Sequence, residues 1–187
     1  VSDSDQPKPT RPAADTGLVK SWQIEVLSDS HNFGGFSCGE KWLDQYLHGH
    51  ARTNQKNGYG RTYLAINDAK QVGGFYTVSM ALVHFNHLPD DLARRVPKYP
   101  MPVALIGCLA VAKSIQKGGL GTLLLIDAMQ RIVQASEIVA ARAVEVLAIN
   151  DAARDWYLRF GFLPFKDNPR HLYLPMDTAR AVVERSI

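Results

Sequence analysis

Between an apolar run and a long amphipathic stretch lies Gln116-Lys-Gly-Gly-Leu-Gly121. Glycine carries no Cβ, so backbone N–H groups in such a loop can converge on an anion. The N-terminus of a following helix adds roughly half a positive charge at the same point. A pyrophosphate suits that arrangement. A tight turn packing helix on strand suits it too, and the loop alone leaves both readings open. It lacks the Gly-Lys-Ser/Thr of a Walker site and the Gly-x-Gly-x-x-Gly order of dinucleotide folds. If it holds phosphate, the phosphate belongs to a different cofactor. A second constellation runs from Asn150 to Phe162 and contains Trp156-Tyr157-x-x-x-Gly161-Phe162. A lone tyrosine on an apolar helix face is ordinarily core. In a crevice at the carboxyl ends of two parallel strands, where α/β proteins tend to bind ligands, it reads differently. There a phenol of pKa near 10 is well matched to protonate a departing thiolate of pKa about 8.5.

Other residues offer weaker chemistry. Glu145 sits inside an apolar strand just before that crevice and reads either as a base or relay, or as a salt-paired or edge-facing glutamate. Arg52, Lys56, Arg61, Arg94, Arg95 and Lys98 form a basic set able to track nucleic-acid phosphates, with solvated charge the alternative for each member. His48, His50, His84 and His87 contain close pairs but suggest no third ligand, so no metal site is expected. Cys38, at a helix start, could have a lowered pKa; Cys108, in mid-strand, reads as packing.

These residues need elements to hold them. Trp22 to Leu27 alternates as a strand does. Ser37-Cys-Gly-Glu40 has the form of a capping box, and Leu43, Tyr46, Leu47 and Ala51 then fall at helical spacing, predicting a helix over about 38–54 that ends at Asn57-Gly-Tyr-Gly60. Arg61–Ile66 and Gly73–Phe85 read as an antiparallel pair joined through Asn67–Gln71. His87–Pro102, with four prolines, reads as a surface excursion holding at most a short helix at Asp90–Val96. Val103–Ala112 is almost unbroken apolar sequence, the mark of the sheet's centre. Leu120, Leu124, Ala128, Ile132, Ala135 and Val139 mark one face of a helix over about 119–140. A strand at Ala143–Ile149 then implies a right-handed crossover and a parallel pair. Asn150 caps the next helix, Gly161 stops it, and Phe162–Phe165 with His171–Leu174 close the fold as strands. The whole is an α/β domain with a mixed sheet.

Composition bounds the answer. The chain has 187 residues, 46% hydrophobic and 21% charged, which fits one folded domain. We read 1–20, with Pro7, Pro9 and Pro12 and no apolar period, as a flexible leader, and 21–187 as the domain. Two cysteines build no disulfide framework, and no stretch reaches the ~20 apolar residues of a membrane span. With no export signal in view either, a reducing cytoplasm is the expected compartment. A net charge of +3 permits an anionic ligand or RNA without requiring one.

Over about Trp22–Leu174 the chain resembles the GNAT acetyltransferases, whose pyrophosphate loop Gln116, Gly119 and Gly121 match. Within that family it looks most like the acetyltransferase toxins of type II toxin–antitoxin systems. The residues that carry this likeness are Phe36-Ser-Cys-Gly-Glu40, Gly60-Arg-Thr-Tyr-Leu-Ala65, Gly74-Phe-Tyr-Thr-Val-Ser79, Leu109-Ala-Val111 and Trp156-Tyr157-x-x-x-Gly-Phe162. The resemblance implies a single GNAT domain with a splayed parallel strand pair. Acetyl-CoA is implied as donor, held by Leu109, Ala110, Val111, Gln116, Lys117, Gly118, Gly119, Leu120, Gly121, Thr122 and Asn150, with Tyr157 as general acid. It further implies aminoacyl-tRNA as acceptor, met by Arg52, Lys56, Arg61, Arg94 and Arg95, and a ribbon-helix-helix antitoxin as partner. Dimerisation stays open. The family loop reads Gln-Gly-Arg/Lys-Gly-x-Gly, so Lys117-Gly118 exchanges the basic and small positions. Acetylation of a small amine or protein amino group, and a non-catalytic acyl-CoA sensor, are the rival functions.

Overall fold

The computed structural model describes residues 22–84, 94, 98 and 100–186. The leader, most of the Pro-rich excursion with its short helix, Phe85, His87 and Arg95 lie outside the described residues. Seven strands form one mixed sheet in the order β1-β2-β3-β4-β5-β7-β6. They are β1 (Gln23–Val26), β2 (Arg61–Ile66), β3 (Val72–Val83), β4 (Met101–Val111), β5 (Ala143–Leu147), β6 (Leu163–Pro164) and β7 (His171–Pro175). β4 is the middle strand, as its apolar run implies. It is antiparallel to β3 and parallel to β5, which in turn is antiparallel to β7.

The first helical segment departs from its expected form. α1 (Lys41–Gln45) leads through a π-helical turn at Tyr46–His50 into α2 (Ala51–Lys56). The apolar stripe holds, with Leu43, Leu47 and Ala51 buried, but the capping box does not form. Gly39 takes a left-handed φ of 91°, so the helix starts later, at Lys41. Asp44 instead reaches back one turn, accepting from Cys38 N–H at 2.8 Å and from the Ser37 hydroxyl at 2.7 Å. Although burial acts in the opposite direction, those donors hold the Asp44 carboxyl below its ordinary range.

α3 (Leu120–Ala135) crosses one face of the sheet and buries Leu120, Leu124, Leu125, Ala128, Met129 and Ile132. Fully burying the larger of these side chains contributes about 1.5–3 kcal/mol apiece. It stops about a turn short of the expected end. The Ser136 hydroxyl donates to Val133 O at 2.6 Å, and Arg180 grips Ser136 and Glu137, so the backbone turns away and Val139 stays 54% exposed. α4 (Asp151–Leu158) begins at an Asn150 cap, whose side chain accepts from Ala153 N–H at 2.8 Å, and ends before Gly161 at φ 90°. The fold does not close on strands: α5 (Met176–Glu184) follows β7 and buries Met176, Ala179 and Val183 beside α3. This helix is absent from the sequence reading because its apolar period spans only nine residues and opens directly from a strand.

Candidate active site

The cleft starts at one residue. β3 and β4 stay in register up to Val78↔Ile106 and resume at Thr77↔Cys108, which leaves Gly107 as an extra residue on β4. A bulge inserts one residue and reverses which face later side chains point to. Before it, Ala104 and Ile106 pack in the cluster under α3; after it, Cys108 and Ala110 pack in the cluster under α1. The last pair joining β4 to β5 is Ile106↔Val146. β4 therefore runs on through Leu109, Ala110 and Val111 with no β5 partner, and a gap opens between the two strands. Gly107 is exposed in the middle strand of the sheet.

The phosphate loop stands at the end of that gap. Beyond Val111, a 3-10 turn (Lys113–Ile115) leads into Gln116. The Gln116 amide donates to Val111 O at 3.0 Å and to Cys38 O at 2.9 Å. Lys113 N–H donates to Ser37 O at 2.8 Å. The segment that reads in sequence as a cap thus braces the loop, and Asp44 holds the brace. Asp44 had no signal in the sequence beyond a carboxylate one turn into a helix. Lys117 and Gly119 both take left-handed conformations, φ 68° and 88°. Leu123 N–H donates to Gly119 O at 3.1 Å, so the amides at the very start of α3 have no carbonyl one turn back within the helix. Packing would admit a side chain at Gly121, since a Cβ there would make only ordinary contacts, 3.6 Å from the Trp156 ring and 3.7 Å from Val111. These features fit a pyrophosphate cradle, with backbone donors, a helix N-terminus and no side chain in the way. The exchanged Lys117 occupies the backbone conformation that glycine takes without strain, and its side chain is exposed.

Tyr157 projects from α4 into this region. It is 7% exposed, edge-on to Trp156 at 4.9 Å and Phe162 at 5.3 Å. Burial, and secondarily the neighbouring Cys108, push its phenol well above the ordinary range. The one fully sealed, unpartnered side-chain polar atom among the described residues is Thr62 Oγ1. The Tyr157 hydroxyl donates to no described residue yet is not sealed in. Asn150 contributes its side-chain oxygen to the α4 cap and so stands at the mouth of the crevice in a structural role.

The remaining candidates scatter. Glu145 is buried and hydrogen-bonded to His171 Nε2, so the carboxylate has a partner on the neighbouring strand. Arg52 donates to His31 O and lies 4.2 Å over the Phe33 ring. Lys56 and Arg94 are exposed, and Arg61 lies at the start of β2 beside Arg131. His48 bonds Phe36 O at 3.1 Å. Among the described residues no group of three or more His, Cys, Asp or Glu could hold a metal, and no helix is long and apolar enough to cross a membrane. Both cysteines are buried; Cys108 is pushed up to about 11 by burial, and so is Cys38, where no lowering wins at the helix start.

The acetyltransferase (GNAT) family model matches residues 37–162. The chain belongs to that family, and it is an acetyltransferase by fold and site. It is 38% identical over 157 residues to the tRNA-acetylating toxin of Mycobacterium tuberculosis, covering 84% of this chain and 93% of that protein. The structure of AtaT complexed with acetyl-methionyl-tRNAfMet superposes with a TM-score of 0.79 at 28% identity, covering 86% of this chain and 98% of that one. A tyrosine-to-phenylalanine variant of AtaT, bound to acetyl-CoA and the C-terminus of the antitoxin AtaR, superposes with a TM-score of 0.74 at 26% identity, covering 87% and 98%.

Proposed function

We propose that this protein is a cytoplasmic toxin that transfers an acetyl group from acetyl-CoA to the α-amino group of an aminoacyl-tRNA, and that a ribbon-helix-helix antitoxin holds it in check. The observation that carries the chemistry is the parting of β4 from β5 at Gly107, with a protonated phenol beside the gap. The choice of acceptor rests on the kinship with a tRNA-acetylating toxin.

When bound, acetyl-CoA supplies an acetyl thioester. The amides of Lys117 to Thr122 would hold its pyrophosphate at the start of α3, with Gln116 and Asn150 keeping loop and crevice in shape. The free edge of Leu109–Val111 offers backbone groups to its pantetheine arm and to the carbonyl oxygen, where a donor strengthens as charge develops. An α-amine has a pKa of about 7.7–8.0 against about 10.4 for lysine, so an appreciable fraction is neutral and nucleophilic near pH 7 without a dedicated base. As the N–C bond forms and the C–S bond breaks, Tyr157 holds the proton the departing sulfur needs, and the amine's proton passes to solvent. Among the described residues of the basic set, Lys56, Arg61, Arg94 and Lys98 are exposed and could meet tRNA phosphates.

Radiolabelled acetyl-CoA offered to charged tRNA, to deacylated tRNA and to polyamines tests this. Label in the aminoacyl fraction alone is expected, together with growth arrest on expression. Label only in polyamines would move the protein to small-amine acetylation.

A further inference from the structure

We propose that His171 takes the proton the attacking amine must shed, and that Glu145 is the positioning residue that holds its imidazole for that step. The inference rests on acetyl transfer to an amine as read above and adds the residue through which the proton leaves.

Alternation along the strands puts the pair on the face opposite the acid. Val144 and Val146 of β5, with Leu172 and Leu174 of β7, pack in the cluster under α3 that also holds Tyr157. Glu145, Leu147, His171 and Tyr173 therefore point to the other face, where Cys108 and Ala110 of β4 lie. Register places the pair along the sheet. Glu145 stands one residue before Val146, the last of β5 to pair with β4, and His171 lies opposite Leu147, one residue beyond it. His171 thus stands at the level where β4 and β5 have parted, and Leu147 beside it is 65% exposed, so this side of β5 is open.

Bonding fixes which nitrogen is available. His171 Nε2 is hydrogen-bonded to Glu145 Oε1. An ionised carboxylate only accepts, so Nε2 carries the hydrogen and Nδ1 keeps its lone pair. Nδ1 bonds no described residue, and the Phe165 ring packs against the imidazole at 4.3 Å. The Glu145 side chain is 12% exposed, in the strand Ala-Val-Glu-Val-Leu. Burying a carboxylate there costs stability that an apolar residue would not; its charge favours an imidazolium one bond away. Neighbouring groups suit the task less well. Cys108 stays a thiol, pushed up to about 11 by burial, and Arg170 is held by Asp151 at 2.8 Å.

The reaction has work for a proton acceptor here. Once the amine nitrogen has bonded to the acetyl carbon it is positively charged, and either it or the sulfur can leave. Their conjugate acids have pKa values of about 7.7–8.0 and about 8.5, so the charged amine departs at least as readily as the thiolate. Passing its proton to Nδ1 closes that return path. The C–S bond then breaks, the sulfur takes the Tyr157 proton, and the imidazolium gives its proton to solvent, from which Tyr157 is reloaded.

Single-turnover acetyl transfer from radiolabelled acetyl-CoA, on whichever acceptor the parent labels, tests this. His171→Gln keeps a donor for Glu145 but has no basic nitrogen. Its rate should fall at least about 10²-fold, with acetyl-CoA affinity within about two-fold of the parent's. Glu145→Gln still accepts from Nε2 without the charge and should lower the rate by less. His171→Ala should regain at least about ten-fold in rate as imidazole is added at fixed pH, while Tyr157→Phe gains nothing. A His171→Gln rate within about three-fold of the parent overturns the proposal. So does a folded His171→Ala that imidazole leaves unchanged; if that variant does not fold, the His171→Gln rate decides. A rate that falls only in step with acetyl-CoA affinity marks the pair as structural and likewise refutes the role. A parent that labels polyamines but not aminoacyl-tRNA overturns the acceptor reading, and the same variants on the polyamine then judge His171 separately.

Discussion

Replacing Tyr157 with phenylalanine removes one oxygen and separates the chemical role of this residue from its packing role. The ring is 7% exposed among Trp156, Phe160 and Phe162, and phenylalanine keeps that packing. The hydroxyl makes no hydrogen bond to a described residue, so its loss should change stability by no more than about 0.5 kcal/mol, as for a substitution that breaks no named interaction. Positioned proton transfer contributes about 10²–10⁴-fold, and each decade corresponds to about 1.36 kcal/mol of barrier. We therefore expect kcat to fall by about 10²–10⁴, with the acetyl-CoA dissociation constant within about two-fold and Tm nearly unchanged. The pH profile adds a signature. Burial raises the phenol pKa, so the protonated acid persists past its ordinary limit of about 10. The rate on an α-amine should climb through the amine's own pKa and then stay flat to about pH 10. Tyr157→Phe should keep the climb at a lower level. Isotopic acetyl transfer measured over pH 6–10, with calorimetry for cofactor binding, reads all of this. Full activity in the variant, or loss of cofactor binding in step with rate, would refute the acid role.

The loop and the core make three further predictions. Gly74→Ala should destabilise the fold by about 1–3 kcal/mol or more, since a Cβ there would fall 2.7 Å from Ala110 O and 2.8 Å from Leu124 Cδ1; chemical denaturation giving a parent-like midpoint would contradict the close approach of β3 to α3. Lys117→Gly relieves a left-handed φ of 68° and should stabilise by about 1 kcal/mol, seen as a Tm rise of about 2–4 °C; a fall in Tm would mean the lysine side chain holds the loop. Cys38 and Cys108, both pushed up to about 11 by burial, remain thiols at neutral pH, so iodoacetamide should label the native protein slowly at pH 7.5 and faster as pH approaches 11 or on unfolding. Rapid stoichiometric labelling of the native protein at pH 7.5 would contradict that burial.

Much of this site is legible in one dimension because its parts are contiguous. The loop Gln116–Gly121, the α3 stripe from Leu120 to Ile132 and the Asn150–Gly161 helix with its cap are local patterns, and local sterics and periodicity write them directly into sequence. The central placement of β4 follows from a run too apolar to face water. Asp44 shows the opposite case: its carboxylate holds a segment six residues earlier, which supports a glutamine 72 residues later, and no local rule connects the three.

What the chain specified by itself is the set of elements, their order and the residue types the chemistry requires. Where β4 leaves β5 was decided in three dimensions. Gly107 is an unremarkable glycine in an apolar run until two strands must share a register and one carries an extra residue, at which point the following side chains change face and the cleft opens. The same holds for β3 beyond Val78, where its pairing with β2 stops, since a strand's outer side is defined only by where its neighbour ends. Pairing partners lie far apart along the backbone, and the hydrogen bonds that select them carry no signature in either segment alone.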